Sequence, residues 1–402
     1  MMSYDDGAHW QSLQLNLPVV PVHDLVVHGD SLAVATHGRA FWMIDDLSPV
    51  RQWAPTIPAE TAHLFKPAVA SHTVFGGRGG GRRYFGASNP PAGAVISYTL
   101  SAQIGKPRPA KDADKDADKD ADKDADKDAD KKDKDKADPL DQRISLDILD
   151  AGGKVIRHFP EAEDAKSPGE DDAKSEPQED EEEERASKPA KPPHLAGFNT
   201  FVWDLRTDKA RAIKNAPLWA GSVAGPKVLP GRYQVKLTVD DSSQTQPLEI
   251  LADPRGTATR DELAKQFALH SAINGLLTEV HDTVLDIRAT RVKTMAAKKT
   301  APTARQGAKV AAAADALDGK LTEVEEILIE PRSHASEDAL NFPVRLNNML
   351  AALGVLVGSG DAAPTAQDEA MFAELKSEAA SAFARWRELK TGEVAAFEKL
   401  GM

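Results

Sequence analysis

The chain of 402 residues contains no cysteine, so neither disulfides nor thiolate metal sites are open to it. That absence suits a cytoplasmic protein and a bacterial exported one equally. Aromatic residues make up only 5% of the sequence, and just four of them are tyrosines. No apolar run is long enough to cross a bilayer, which takes about 20 residues; the longest lies around Met349 to Val357. The first residues have no basic stretch followed by an apolar one, so no export signal is read there. The H-E-x-x-H, P-loop and Rossmann fingerprints are missing. Gly221-Ser222-Val223-Ala224-Gly225 is not a nucleophile elbow, because its serine stands one place early. No cofactor is expected.

Charge is present in excess, but locally. Asp and Glu number 63 against 50 Lys and Arg, a formal charge of -13. Residues 111–138 hold nine Lys against thirteen Asp, and residues 161–185 hold thirteen acids against three bases, so the remainder is close to neutral. The folded parts therefore have no electrostatic reason to bind nucleic acid or an anionic membrane, and neither is expected as a partner. The Lys-Asp-Ala-Asp repeat has no apolar residue larger than Ala, and the second tract is almost pure acid. Neither can bury enough to offset its ordering entropy, so both inserts, taken as 102–140 and 160–194, are expected to be disordered loops. Alternating Asp attracts Ca²⁺, but the Gly and Glu that an EF-hand loop requires are not placed here, and no metal site is expected.

Three short alternating segments stand near the start: Val22 to His28, Leu32 to Thr36 and Ala40 to Ile44. Gly29-Asp30 and His37-Gly38-Arg39 between them are good hairpin turns. Residues 49–92 are rich in Pro and Gly and read as a linker. Their run Gly76-Gly77-Arg78-Gly79-Gly80-Gly81-Arg82-Arg83 could cradle an anion through its N–H groups, but no strand and helix flank it. Period-two alternation resumes at Ile96, Tyr98 and Leu100, at Ile144, Leu146 and Ile148, at Phe201, Trp203 and Leu205, and at Tyr233 to Val239. This spacing predicts a small β-sandwich of immunoglobulin type over 93–254.

Helical spacing takes over across 255–402. Thr259 and Glu262 form a capping box ahead of the stripe Leu263, Phe267, Ile273, Leu277, Val280, Val284 and Ile287. Leu317, Leu321, Val324 and Leu328 make a second stripe, ended by Pro331. Pro343 opens a third helix at its first turn, with Leu346, Leu350, Leu353 and Val357 inward. Thr365 and Asp368 start a fourth, bearing Phe372, Leu375, Ala379, Ala382, Trp386 and Leu389. The fold class is thus mixed and multidomain: a partial β-propeller blade (1–48), an Ig-like sandwich and a C-terminal antiparallel helical bundle.

The blade assignment rests on Ser3-Tyr4-Asp5-Asp6-Gly7-Ala8-His9-Trp10, which has the form S-x-D-x-G-x-x-W. This is the Asp-box of sialidase-type and sortilin-type propellers. In such a turn the Asp accepts backbone N–H groups, the Gly takes a positive φ and the Trp plugs the space between strands, so Ser3, Asp5, Gly7 and Trp10 are structural. Trp10 to Pro18, Val22 to His28 and Ala35 to Asp46 resemble the last blade of bacterial BNR-repeat proteins. These are relatives of the sortilin propeller, often labelled glycosyl hydrolases. Further matches follow in order at Asn89 to Ala94, Ala196 to Asn199, Trp203-Asp204-Leu205-Arg206, Gly225-Pro226, Pro230 to Tyr233 and Asp253-Pro254-Arg255. The middle section is similar to the Ig-like module of the flagellar hook-capping protein FlgD. The resemblance implies an exported, periplasmic or extracellular multi-blade propeller followed by a sandwich and a helical tail. A propeller needs at least four blades, so the expectation is that another chain completes it or that its N-terminal part has been lost.

No catalytic residue is assigned. Asp5 and Asp6 share one turn and read as structural. His37 and Arg39 are candidate ligand-facing residues of their turn; the plainer reading is that Gly38 makes the turn while Arg39 pairs with Asp45 or Asp46. A sialidase requires an arginine cluster and a nucleophilic Tyr, and only Tyr84 among Arg78, Arg82 and Arg83 suggests one. His270 and His281 are too far apart for a one-turn metal site and read as helix-surface or boundary residues. The expected function is a non-catalytic interaction region binding a protein or peptide partner or the remaining blades, with self-association through the helices possible. The alternative is the C-terminal part of a sialidase-like glycosyl hydrolase whose catalytic blades lie elsewhere.

Overall fold

A computed structural model of the chain describes residues 1–73, 90–104, 143–162, 164–168, 190–300 and 304–401. The Gly-rich run 76–83, Tyr84 and most of both charged tracts lie outside the described residues. The structure is of mixed class, with several β-sheets and a C-terminal helical region.

Strands β1 (Val22–His28), β2 (Ser31–Thr36) and β3 (Phe41–Ile44) form an antiparallel sheet in the order β1-β2-β3. Gly29 and Gly38 take the positive φ (57° and 76°) that the two tight turns demand. Residues 1–21 add no strand to this sheet: Met2 and Gln11 bridge only to each other. Positive φ at Asp6 and Leu15, 53° and 48°, bends the intervening chain away from an extended course. Pro18 and Pro21 remove two more ladder donors.

A short helix, α1 (Ser48–Gln52), leads to β4 (Ala62–Leu64) and β5 (Ala70–Ser71). Here the linker expectation for 49–92 is corrected, since Leu64, Phe65 and Ala70 are core residues. The segment is too short to display a period of two. It is held partly by side chains: Gln244 accepts from the Leu64 N–H (2.7 Å) and donates to the Ala62 carbonyl (2.8 Å), while Gln246 donates to the Leu64 carbonyl (3.1 Å).

Two sheets share the next core. One has the order β5-β11-β10-β7-β8 and the other β4-β6-β9, built from β6 (Ala94–Leu100), β7 (Ile144–Leu149), β8 (Val155–Phe159), β9 (Gly197–Trp203), β10 (Gly231–Val239) and β11 (Ser242–Leu251). The alternating residues named above point inward from both: Ile96 and Tyr98 meet Leu146, Ile148, Val235 and Leu237, with Trp203 fully buried between the sheets. The ends of both inserts belong to the fold, which trims the expected loops. Ile104 is buried and donates to the His194 carbonyl, Ala165 bridges to Ile213, and the Tyr98 hydroxyl donates to the Pro193 carbonyl. Of these edge residues Ile104 enters the core, as an uncharged side chain can where Asp and Glu cannot.

The helices are α2 (Arg260–Thr300), α3 (Ala304–Leu328), α4 (Leu346–Val357), α5 (Ala366–Leu389) and α6 (Ala395–Gly401), with one π-turn, Lys390–Val394, before α6. Thr259 caps α2 and Thr365 caps α5, each exchanging bonds with the acid three residues on. Pro343 lies outside α4, whose N-cap is Arg345, so that helix starts later than its proline suggests. The four apolar stripes converge in one core. Helices α2 and α3 run antiparallel, because ion pairs link Arg288 to Glu325, Arg291 to Asp318 and Lys298 to Asp315, one residue number rising as the other falls. Glu325 is 1% exposed and receives both Arg288 Nε (2.6 Å) and Arg291 Nη1 (2.5 Å).

Removing one partner of a buried ion pair leaves the other charge uncompensated in low dielectric. Glu325→Ala is therefore expected to lower the unfolding free energy by about 3–5 kcal/mol. The urea midpoint measures it, and an unchanged midpoint would contradict the network's role.

Candidate functional site

The Asp-box residues form a tight turn. Ser3 Oγ accepts from the Gly7 N–H (2.7 Å) and donates to Asp5 Oδ1 (2.8 Å), while Asp5 Oδ1 also accepts the His9 N–H (2.8 Å). His9 Nδ1 meets Asp5 Oδ2 at 2.5 Å, and these bonds from His9 and Ser3 hold the Asp5 carboxyl below its ordinary range. Gly7 has φ 94°. Trp10 departs from expectation: it lies against Gly7 but is 59% exposed and plugs no space between strands, since the Met2–Gln11 bridge is not stacked on the sheet.

The sheet beyond this turn is uncovered. Cross-strand partners lie on the same face, so the registers place Leu25, Val34 and Trp42 on one side with Val27, Leu32 and Ile44. Val26, Ala33 and Met43 share the other with Ala35 and Phe41. Leu25 and Val27 are exposed on the first face, and Val26, Met43 and Phe41 on the second, Phe41 at 78%. One end of the sheet is anchored by α1. Arg51 of α1 grips the β1–β2 turn through Asp30 Oδ1 (2.7 Å) and the Gly29 carbonyl (2.8 Å), and the Tyr4 hydroxyl donates to the Val50 carbonyl (3.0 Å).

His37 stacks on His23 with ring centroids 5.2 Å apart. Arg39 forms no ion pair with Asp45 or Asp46; its carbonyl accepts from Trp42 Nε1 (2.9 Å), and Asp46 instead caps the Ser48 N–H. The structure thus brings His37 to His23 but does not bring His37 and Arg39 together on a formed site. Among the described residues, no group of three or more His, Asp or Glu is placed to hold a metal ion, and no helix is long and apolar enough to cross a membrane.

A second polar assembly lies where residues 204–230 cross from the sheets to the helices. Trp203 Nε1 donates to the Arg206 carbonyl (2.8 Å), Arg206 Nη1 donates to the Gly225 carbonyl (2.7 Å), and Leu205 adopts φ 59° to make the turn. Helix α2 then binds the backbone of this segment. Asn274 donates to the Asp208 carbonyl (3.1 Å), Thr278 accepts the Arg211 N–H (3.2 Å), and His281 Nδ1 contacts the Arg211 carbonyl at 2.5 Å. His270 sits beside Gly354 of α4, the C-cap Gly358 and the Ala224 backbone. His270 and His281 are therefore buried junction residues, which corrects the surface reading. Burial and the neighbouring Arg206 push the His270 pKa down to about 4, and burial lowers that of His281 as well. Because His281 Nδ1 faces a carbonyl it carries the proton, and Nε2 is left buried without a partner.

Compared with known proteins, the chain matches no family model, no curated protein and no solved structure.

The pH dependence follows from the histidines. A His whose folded pKa is depressed binds fewer protons in the folded than in the unfolded state between about pH 4 and 6.5, so stability falls as pH falls through that window. His270→Gln, which cannot titrate, is expected to flatten the pH dependence of the urea midpoint there relative to the wild type. Identical slopes for the two proteins would contradict the assignment.

Proposed function

We propose that this chain is a non-catalytic structural and interaction region: a terminal blade of an exported, sortilin-like β-propeller, followed by an immunoglobulin-like sandwich and a helical bundle. The observation that carries the reading is the β1–β2–β3 sheet with apolar side chains exposed on both faces. A lone sheet of this size is marginal in water, and an apolar sheet face gains stability only by packing on another layer. Propeller blades meet that requirement by packing face to face around an axis.

Three further features support it. The Asp-box residues Ser3, Asp5 and Gly7 spend their polar groups on one another, which is structural rather than catalytic chemistry. Trp203 plugs the space between two antiparallel-rich sheets, as the core aromatic of an Ig-like sandwich does. The Asp253 carboxylate receives Arg255 Nε (2.9 Å) and Nη2 (2.6 Å), clasping the chain where the sheets give way to helices. The partner this surface fits is a protein with an apolar β-sheet face of its own, such as further blades.

One substitution on each face tests the reading. The wild-type chain is expected to bind the hydrophobic dye ANS and to self-associate as concentration rises in sedimentation velocity. Leu25→Lys with Phe41→Lys is expected to suppress both, with the far-ultraviolet circular dichroism unchanged. Hydrolysis of glycoside or peptide substrates by the purified chain, abolished by a point substitution within it, would overturn the reading.

A further inference from the structure

We propose that a small cavity at the N-terminus of α4 binds a singly charged carboxylate attached to an apolar group. The cavity has a volume of about 40 Å³ and lies between the 215–219 segment, the 330–345 connection and the first turn of α4. It is separate from the β1–β3 surface and does not depend on the reading given to that surface.

Unused hydrogen-bond donors point to the ligand. The first N–H groups of a helix have no intrahelical acceptor and carry the positive end of its dipole. Helix α4 has twelve residues, its N-cap Arg345 provides no side-chain bond, and the N–H groups of Leu346, Asn347 and Asn348 have no acceptor among the described residues. Serine, threonine or aspartate commonly fills this place; Thr365 does so for α5. Asn347 lines the cavity, is 3% exposed, and its side-chain amide makes no hydrogen bond among the described residues. Arg345, also on the lining, has an enclosed Nε without a partner, and its Nη2 lies 3.4 Å from Glu330. An amide, a guanidinium N–H and a helix N-terminus converge on one small space.

The charge and size of that space narrow the ligand. Arg288 on its lining is already paired with Glu325, and the remaining lining charges, Arg345 with Glu330 and Asp338, are balanced by Arg332, which grips Glu330. Both carboxylates are already committed: Asp338 Oδ2 accepts the His334 and Ala335 N–H groups (2.7 and 3.0 Å), and Glu330 is gripped by Arg332 (2.6 and 3.0 Å). One added negative charge matches the free donors, whereas a phosphate dianion would face Glu330 with nothing left to balance its second charge. A volume of about 40 Å³ holds roughly three water-sized groups, the size of a carboxylate. Its carbon framework would rest on Trp219, which is 51% exposed, and Phe342. Trp219 is held in place because its backbone exchanges two bonds with the Asn348 side chain, at 2.6 and 3.0 Å.

Isothermal titration calorimetry of the full chain with phenylacetate, phenylacetamide and phenyl phosphate tests the proposal. Phenylacetate is expected to bind saturably at roughly millimolar concentration, as befits so few atoms, with the neutral amide and the dianion at least about tenfold weaker. Asn347→Asp keeps the volume and favours the helix start, and should weaken phenylacetate at least about tenfold by charge repulsion. Trp219→Leu, at the rim, should weaken it less. No saturable heat, equal binding by wild type and Asn347→Asp, or tighter binding of phenyl phosphate would overturn the proposal.

Discussion

The structure depends on satisfying the backbone of residues 204–230, an irregular segment that runs between two cores. Ala210 and Ile213 of this segment are buried among the helices, while Leu205 and Val228 are buried among the strands. Peptide groups carried inside with their side chains cannot reach water, and each unpaired one would be destabilising. The helices supply the partners. His270, Asn274, Thr278 and His281 lie three or four residues apart on α2, on one side of the helix, and three of them bond the segment's backbone directly. Asn348 and the Ala351 carbonyl of α4 take up Trp219 and Ser222 in the same way. The sheets and the helices are thereby fixed to one another.

That dependence also explains what the sequence could and could not disclose. The apolar stripes of the four helices and the inward alternation of the strands were legible residue by residue, because burial against a face repeats at 3.6 or 2. The caps at Thr259 and Thr365 were legible because capping is local. The polar stripe was not. His270 and His281 look like helix-surface or boundary residues in a linear reading, since the loop residue that His281 bonds, Arg211, lies 70 residues earlier and its segment carries no period. The strands at Ala62–Ser71 were hidden for a related reason: their pairing with Gln244 and Gln246 spans about 180 residues.

Two surfaces remain with chemistry unspent. At one end, the β1–β3 sheet exposes apolar side chains that no other described residues cover. Near the junction, the α4 N-terminus holds donors without an acceptor among the described residues. Sequence patterning located the first through its alternation, which marks all three strands of the sheet. The second was invisible, because Arg345, Asn347 and Trp219 become neighbours only when the 204–230 segment docks. The proposed carboxylate site therefore turns on the same docking that unites the two cores, whereas the β1–β3 surface does not.

Native-state hydrogen exchange tests that account most directly. If helix side chains hold residues 204–230 inside the fold, the Arg211, Trp219 and Ser222 amides exchange only through the opening that exposes the core of α2. Their protection would then equal that of Val280 and Val284, and Asn274→Ala would lower all of them together. Fast exchange of the three loop amides beside a protected α2 would contradict the account, because the sheets and helices would then be joined by a loop that opens on its own.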